Sequence, residues 1–264
     1  MNSEKWKVVP LSDAQLLDVN PSDILHGGLY RRCDTHKGGN GYDKFPEICE
    51  RMLGVANMHR HFVVQLYGCN LDCPYCYVTR AGVWGSPQLV STNDLLYAFQ
   101  YSRQDVFHLM GGAPAIHLRK WPELIERFEL VFPTSVFHSD LLLTERRYSV
   151  QELTALEMSR RVLLAVNVKG LTDEEHLRNT RKVFREKLFW ANFVRLVVHN
   201  VKFYVTFTNV SKENIQAFWV ICEELFDYNV AQELRRNSYS IDLIDYKAVM
   251  FVDSVEWGIE HDYS

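Results

Sequence analysis

The sequence predicts an α/β fold: a partial, three-quarter (β/α)6 barrel of parallel strands with an N-terminal extension. Three observations predict it. From residue 61 onward, six apolar runs of strand length alternate with stretches of helical periodicity, and strands separated by helices pair in parallel through right-handed crossovers. Six units fall short of the eight that close a barrel, so the sheet stays open and curved. Glycine and polar residues gather where the runs end, the edge at which such sheets place their chemistry.

In order along the chain, residues 1–58 are rich in glycine and proline at HGGLYRRC and THKGGNGYDKFPEI and read as loops around short elements, an extension or cap. The run at 61–67 is short enough for a buried strand. STNDLLYAFQYSR (91–103) opens on capping residues and continues as a helix. DVFHLMGG (105–112) is a strand, and KWPELIERFEL (120–130) a helix with Pro122 in its first turn. TSVFHSDLLL (134–143) is a strand, SVQELTALEMSR (149–160) a helix capped by Ser149, and RVLLAVNVKG (161–170) an aliphatic, β-branched strand. A long helix is expected from Asp173 toward His199, and its charged stretch HLRNTRKVFREK reads as a solvated face. VKFYVTFTNV (201–210) is the fifth strand, SKENIQAFWVICEELFDY (211–228) a helix capped by Ser211, and SYSIDLIDY (238–246) the sixth strand. The barrel core is thus expected over 59–246, with a tail at 247–264.

The strand ends form one rim. The first strand runs into three cysteines, the second into Gly111 and Gly112, and the third into Ser139 and Asp140. The fourth ends at Asn167, Val168 and Lys169, the fifth at Thr208 and Asn209, and the sixth at Asp245 and Tyr246.

Bulk properties narrow the function classes. The chain has 264 residues, 47% of them hydrophobic, which supports a globular protein with a large core. A net charge of −4 gives no global attraction to nucleic acid or to an anionic membrane, and neither is expected as a partner. The first residues lack a signal-type apolar core and no run of about 18 apolar residues follows, so a cytoplasmic location is expected. Six cysteines are too few for a disulfide scaffold, and their clustering points to metal or redox chemistry.

That cluster is GCNLDCPYC, with Cys69, Cys73 and Cys76 spaced C-x3-C-x2-C directly after a buried strand. Four protein ligands close a metal centre; three leave a coordination position open. The stretch resembles the radical S-adenosylmethionine enzymes, in which three such cysteines hold three irons of a [4Fe-4S] cluster and the fourth iron is chelated by S-adenosylmethionine. The resemblance implies reductive cleavage of that cofactor to a 5'-deoxyadenosyl radical, which abstracts hydrogen from a peptide or small-molecule substrate. An external flavodoxin or ferredoxin is the implied electron donor. It also implies that Tyr75, the aromatic residue before Cys76, packs near adenine, and Tyr77 on the other side of Cys76 is counted with it among the cofactor-binding residues.

HLMGGAPAIH is similar to the family's Gly-Gly-Glu-Pro segment, with Gly111, Gly112 and Pro114 matching. Ala113 stands where the glutamate belongs, so backbone carbonyls or Ser139 must receive the cofactor's amino group instead. AVNVKG resembles the Asp-x-Lys strand of the branch typified by pyruvate formate-lyase activating enzyme, with Asn167 in place of the aspartate and Lys169 matching. The His-Asn-Pro that activases carry after the third cysteine is YVTRAG here, which counts against a glycyl-radical target, though activation of a glycyl-radical enzyme stays an alternative. No individual catalytic residue is assigned. The rival from another class is a non-catalytic zinc or iron-sulfur protein, its zinc site completed by His59, His61 or His108. Cys33, Cys49 and Cys222 read as packing thiols.

Overall fold

A computed structural model describes the protein at residues 5–10, 24–25, 30–35, 44–76, 78 and 80–241. In chain order it holds β1 (Trp6–Val8), β2 (Ile24–Leu25), β3 (Tyr30–Asp34), α1 (Phe45–Leu53), β4 (Arg60–Gln65), α2 (Arg80–Trp84), β5 (Gln88–Val90), α3 (Thr92–Ser102) and β6 (Val106–Met110). A 3-10 helix (Pro114–Lys120) leads into α4 (Trp121–Val131), β7 (Val136–Leu141), α5 (Val150–Met158), β8 (Val162–Val168), α6 (Asp173–Thr180) and α7 (Glu186–Val198). β9 (Phe203–Thr208), α8 (Lys212–Leu225), α9 (Tyr228–Arg236) and β10 (Ser238–Ile241) complete it.

The main sheet runs β10-β9-β8-β7-β6-β4-β3-β2. Its six strands from β4 to β10 pair in parallel, as the strand–helix alternation predicts. β3 and β2 extend the sheet antiparallel beyond β4, so part of the N-terminal extension is continuous with the barrel. β1 pairs with β5 in a separate two-stranded ribbon. The far half of the predicted sixth strand, with Asp242, Asp245 and Tyr246, lies outside the described residues.

Local chemistry sets the helix starts. Ser91 and Ser149 accept from the N–H groups of Asp94 and Glu152, whose carboxylates bond back, completing two capping boxes. The single long helix expected after Asp173 is not formed. Arg181 adopts φ 55° and ends α6, with its N–H on the carbonyl of Leu177. His176 Nδ1 then meets the carbonyl oxygen of Lys182 at 2.7 Å, which turns the chain across the strand ends before α7 begins. The side chain of Asp227 caps α9, a helix in the stretch that the sequence pattern leaves unassigned between residues 228 and 238.

Strand alternation sorts the interior into two layers. The outer face (Phe62, Val64, Phe107, Phe137, Leu164, Phe207 and neighbours) packs under the helices in one large cluster with Phe99, Trp121, Phe128, Phe193 and Phe218. The inner face is closed at the strand starts by α1, whose Phe45, Ile48 and Cys49 pack on Val106, Val136, Leu163, Ala165 and Tyr204. α1 is a plug that closes the concave side at the strand starts. Cys49 and Cys222 are buried in these two clusters, with thiols pushed up to about 12 mainly by that burial.

Candidate active site

The loop after β4 is held by backbone hydrogen bonds on every side. The N–H groups of Leu66, Tyr67, Gly68 and Asp72 donate to the carbonyls of Met110, Lys7, Val83 and Thr180 at 2.9 to 3.0 Å. Within it, Cys76 N–H bonds the Cys73 carbonyl at 3.0 Å and Leu71 N–H donates to Cys69 Sγ at 3.4 Å. Cys69 and Cys73 lie against Leu71, Ala113 and Leu142, while Cys69 and Cys76 lie against Val78 and Val83.

Burial is the largest influence on all three thiols and raises each, Cys76 to about 12. The charge of Cys73 adds to the rise at Cys69 and Cys76, and Lys169 opposes the rise at Cys73 and Cys76. Three thiols in an apolar bed, coupled to one another, store little thiolate alone and ionise together when a metal centre is supplied. The arrangement fits a cluster ligand set.

Gly111 and Gly112 both hold positive φ, 73° and 53°. A Cβ on Gly112 would meet the Gly68 carbonyl oxygen at 2.1 Å, and one on Gly111 the Gln65 amide at 1.8 Å. The pair therefore lets the loop after β6 lie against the cysteine loop, an approach fastened by Ala113 N–H on the Gly68 carbonyl at 2.8 Å. Ala113 is fully buried beside Cys69 and Cys73, where its methyl group packs.

Lys169 reaches the thiols from β8's end. Its Nζ stands 5.2 Å from the centre of the Tyr75 ring and donates to Tyr75 OH at 3.5 Å. Tyr75 is buried, and its phenol is held well above its usual range, chiefly by burial and then by Cys73. Asn167 lies one layer deeper and accepts from the Thr206 hydroxyl. Asn179 joins the β8 and β9 loops, donating to the carbonyls of Lys169, Thr208 and Asn209 at 2.9, 3.3 and 3.1 Å. Cys69, Cys73, Cys76, Tyr75, Gly111, Gly112, Ala113 and Lys169 thus share one end of the barrel. Ser139 does not join them. It alternates with His138 and Asp140 onto the outer face, fully buried, with its hydroxyl donating to the Leu109 carbonyl at 3.0 Å, so it cannot replace the missing glutamate. Tyr77 lies outside the described residues.

The side chain that strand-end reading missed is Glu145. It sits in the loop after β7, close enough to raise the Cys69 thiol. Its two carboxylate oxygens are buried without a hydrogen-bond partner. Burial holds it well above the usual carboxylate range; Arg146 opposes that rise but spends its own guanidinium on Glu152, at 3.0 Å. Glu145 lines a cleft of about 340 Å³ with Asn70, Leu71, His176, Lys182 and Arg185. Arg185 donates to the carbonyls of Thr144 and Glu145 at 3.2 and 2.8 Å. The stretch expected as a solvated helix face instead delivers Lys182 and Arg185 to the cleft, because the chain breaks at Arg181.

The histidines proposed to close a zinc site stand elsewhere. His59 Nδ1 is 2.8 Å from the Thr35 hydroxyl, and His61 and His108 lie at the plugged floor. Among the described residues, the group of three ligating side chains with all ligand atoms within 4.8 Å of one another is His61, His108 and His138, and no cysteine belongs to it.

No curated relative matches the chain. Solved structures do: SuiB of Streptococcus suis bound to its precursor peptide SuiA aligns at 10% identity with TM-score 0.53, covering 72% of this chain and 40% of that one. Native anSMEcpe with bound AdoMet aligns at 13% identity and TM-score 0.42, covering 67% of this chain and 49% of that one. TYW1 with a lysine-pyruvate adduct aligns at 13% and 0.46, covering 75% and 72%. At these identities the SuiB likeness is one of fold, and the chain spans only 36 to 42% of the length of the SuiB structures. The sequence itself matches the radical SAM superfamily over residues 63–225, more than half of its length and the whole of the cysteine loop, so the chain belongs to that superfamily.

Proposed function

We propose that this protein is a radical SAM enzyme that holds a [4Fe-4S] cluster on Cys69, Cys73 and Cys76 and binds S-adenosylmethionine at the position the three thiolates leave open. The observation that carries the reading is the trio of coupled, apolar-bedded thiols with an unsatisfied carboxylate, Glu145, beside Cys69. Held by Cys69, Cys73 and Cys76, the cluster would supply a low-potential electron, and S-adenosylmethionine bound beside it would supply the radical chemistry of hydrogen abstraction.

The chain's own residues bind, orient and shield. Glu145 receives the cofactor's ammonium, the role Ala113 cannot fill; its buried oxygens gain the partner they lack. Lys169 holds the Tyr75 ring in place beside the thiols and favours their ionised form. Leu71, Ala113 and Leu142 keep water from the sulfur atoms. The placement of Lys169 supports likeness to the activating-enzyme branch at that strand, but the substrate is read as a peptide or small molecule that enters the cleft. With Arg146 paired to Glu152, Lys182 and Arg185 against Glu145 leave that wall net positive, which favours a substrate with an anionic group. We read residues 59–246 as the barrel unit and 1–58 as its extension, which among the described residues gives α1 to the floor and β3 to the sheet. A flavodoxin or ferredoxin supplies the electron. A cytoplasmic location goes with thiols clustered for a metal centre, as clustered cysteines are used in reducing compartments, and no helix among the described residues is long and apolar enough to cross a membrane.

Anaerobic reconstitution with iron and sulfide tests the reading. About four irons and four sulfides per chain are expected. Adding S-adenosylmethionine to the dithionite-reduced protein should change its low-temperature EPR spectrum and release 5'-deoxyadenosine, and Cys73→Ala should abolish both. A cluster whose spectrum ignores S-adenosylmethionine would overturn it.

A further inference from the structure

At the opposite end of the barrel, three imidazoles converge. His61, His108 and His138 come from three adjacent strands, β4, β6 and β7, and point into the concave floor. His108 and His138 are register partners, while His61 is staggered by two residues, as the shear of a curved parallel sheet requires. All three are at most 1% exposed, and one ligand nitrogen from each lies within 4.8 Å of the others.

The rings meet at steep angles. Interplanar angles are 60° for His61 and His108, 68° for His108 and His138 and 84° for His61 and His138, the disposition of rings that aim edges at a common point. His61 Nδ1 and His108 Nδ1 are 3.2 Å apart. Two nitrogens bound to one tetrahedral ion at about 2.0–2.1 Å are separated by about 3.3 Å. His138 directs its Nε2 to the Tyr204 hydroxyl at 3.0 Å, so Nδ1 is the nitrogen we assign to the shared point. An outer partner on the distal nitrogen is how ligating histidines are oriented. Phe45 of the plug closes the group, its ring 4.9 Å from His61 and 4.5 Å from His138.

We propose that His61, His108 and His138 form a second metal site, for a first-row divalent cation such as Zn²⁺. It is separate from the cluster cysteines: β4 alone carries the chain about 13 Å from His61 to Gln65 before the cysteine loop begins. Three neutral nitrogen donors suit zinc, with water or one further donor completing four-coordination. Buried under α1, the ion would fasten β4, β6 and β7 at the end away from the chemistry.

The full chain, expressed in zinc-supplemented medium and then loaded anaerobically with its cluster in the presence of Zn²⁺, is analysed for both metals. One zinc per chain is expected in addition to cluster iron. Cys73→Ala should lose the iron and keep the zinc; His108→Gln and His138→Gln should keep the iron and bind zinc at least tenfold more weakly. Tyr204→Phe should weaken zinc about 10- to 100-fold, while His59→Gln should leave it unchanged. Where a histidine variant does not fold, zinc-edge X-ray absorption of the wild-type protein decides. A nitrogen shell at about 2.0 Å supports the site, whereas a sulfur shell at about 2.3 Å, or no zinc beyond trace under either loading, overturns it. In the overturned case, the 3.2 Å contact is a hydrogen bond between two neutral imidazoles.

Discussion

At the scale of single residues, the site turns on two positions of opposite character, Glu145 and Gly112. Glu145 is a carboxyl group buried without a hydrogen-bond partner and held toward its neutral form by that burial, a group that a cationic ligand would complete and ionise. Glu145→Gln keeps the shape and removes the charge. Cluster iron should be unchanged while S-adenosylmethionine binds about 10- to 100-fold more weakly, the loss expected for a charged hydrogen bond, read by titration of the EPR change. Gly112 is fixed by what surrounds it: a methyl group there would meet a backbone oxygen at 2.1 Å, and the left-handed φ adds its own cost of about 1–2 kcal/mol. Gly112→Ala should therefore destabilise the chain by several kcal/mol and lower the iron it retains, both measurable by denaturant unfolding and iron analysis. Gly111→Ala should be milder, since the obstacle is the end of the Gln65 side chain.

At the scale of elements, the plug and the helix break decide how the barrel is used. α1 amounts to a floor, and Phe45 is its largest buried contribution, touching histidines and Tyr204 across the interior. Phe45→Ala should cost about 3–5 kcal/mol, seen as a lower Tm, because the curved sheet cannot collapse into the space left behind. Cluster content in the folded fraction should hold, since α1 sits at the other end of the strands. The break between α6 and α7 works at the open end. It swings Lys182 and Arg185 toward the cysteine loop, and Asp72 N–H bonds the Thr180 carbonyl at 3.0 Å so that loop and helix end move together.

At the scale of the whole molecule, buried titrating groups set the pH range of stability. His117 and His176 are held below the usual histidine value, in both cases first by burial. The unfolded chain binds protons below about pH 6.5 that these folded sites refuse, so stability falls as pH drops through that region. At Glu152 and Glu175 burial pushes upward, but hydrogen bonds from Arg146 and Ser149, and from Ser211 and Leu171, outweigh it and hold both carboxyls low. Their contribution is present above the unfolded carboxylate range and is lost on further acidification. Cys49 and Cys222 act at the alkaline side: folded thiols near 12 stay neutral while unfolded ones ionise above about 9. Tm is expected to be highest between about pH 7 and 9 and to fall on both sides, first through the histidines on the acid side. A Tm that rises between pH 7 and 5 would contradict this.

The order of elements, the six parallel strands and the three cysteines were legible in the sequence because they rest on local signals: apolar period, serine caps and ligand spacing. Gly111 and Gly112 were legible as special positions, but only the structure shows that the cysteine loop itself fills the space beside them. The break at Arg181 was not legible, since RNTRKV keeps helical composition and the turn is made by His176 bonding to a carbonyl six residues on. Glu145 and the three floor histidines were hidden for a related reason. Their significance is a convergence across strands that are dozens of residues apart, set by sheet register and curvature. Sequence by itself determined which chemistry the chain carries; tertiary packing decided which side chains stand next to it, because burial and register are properties of the folded sheet.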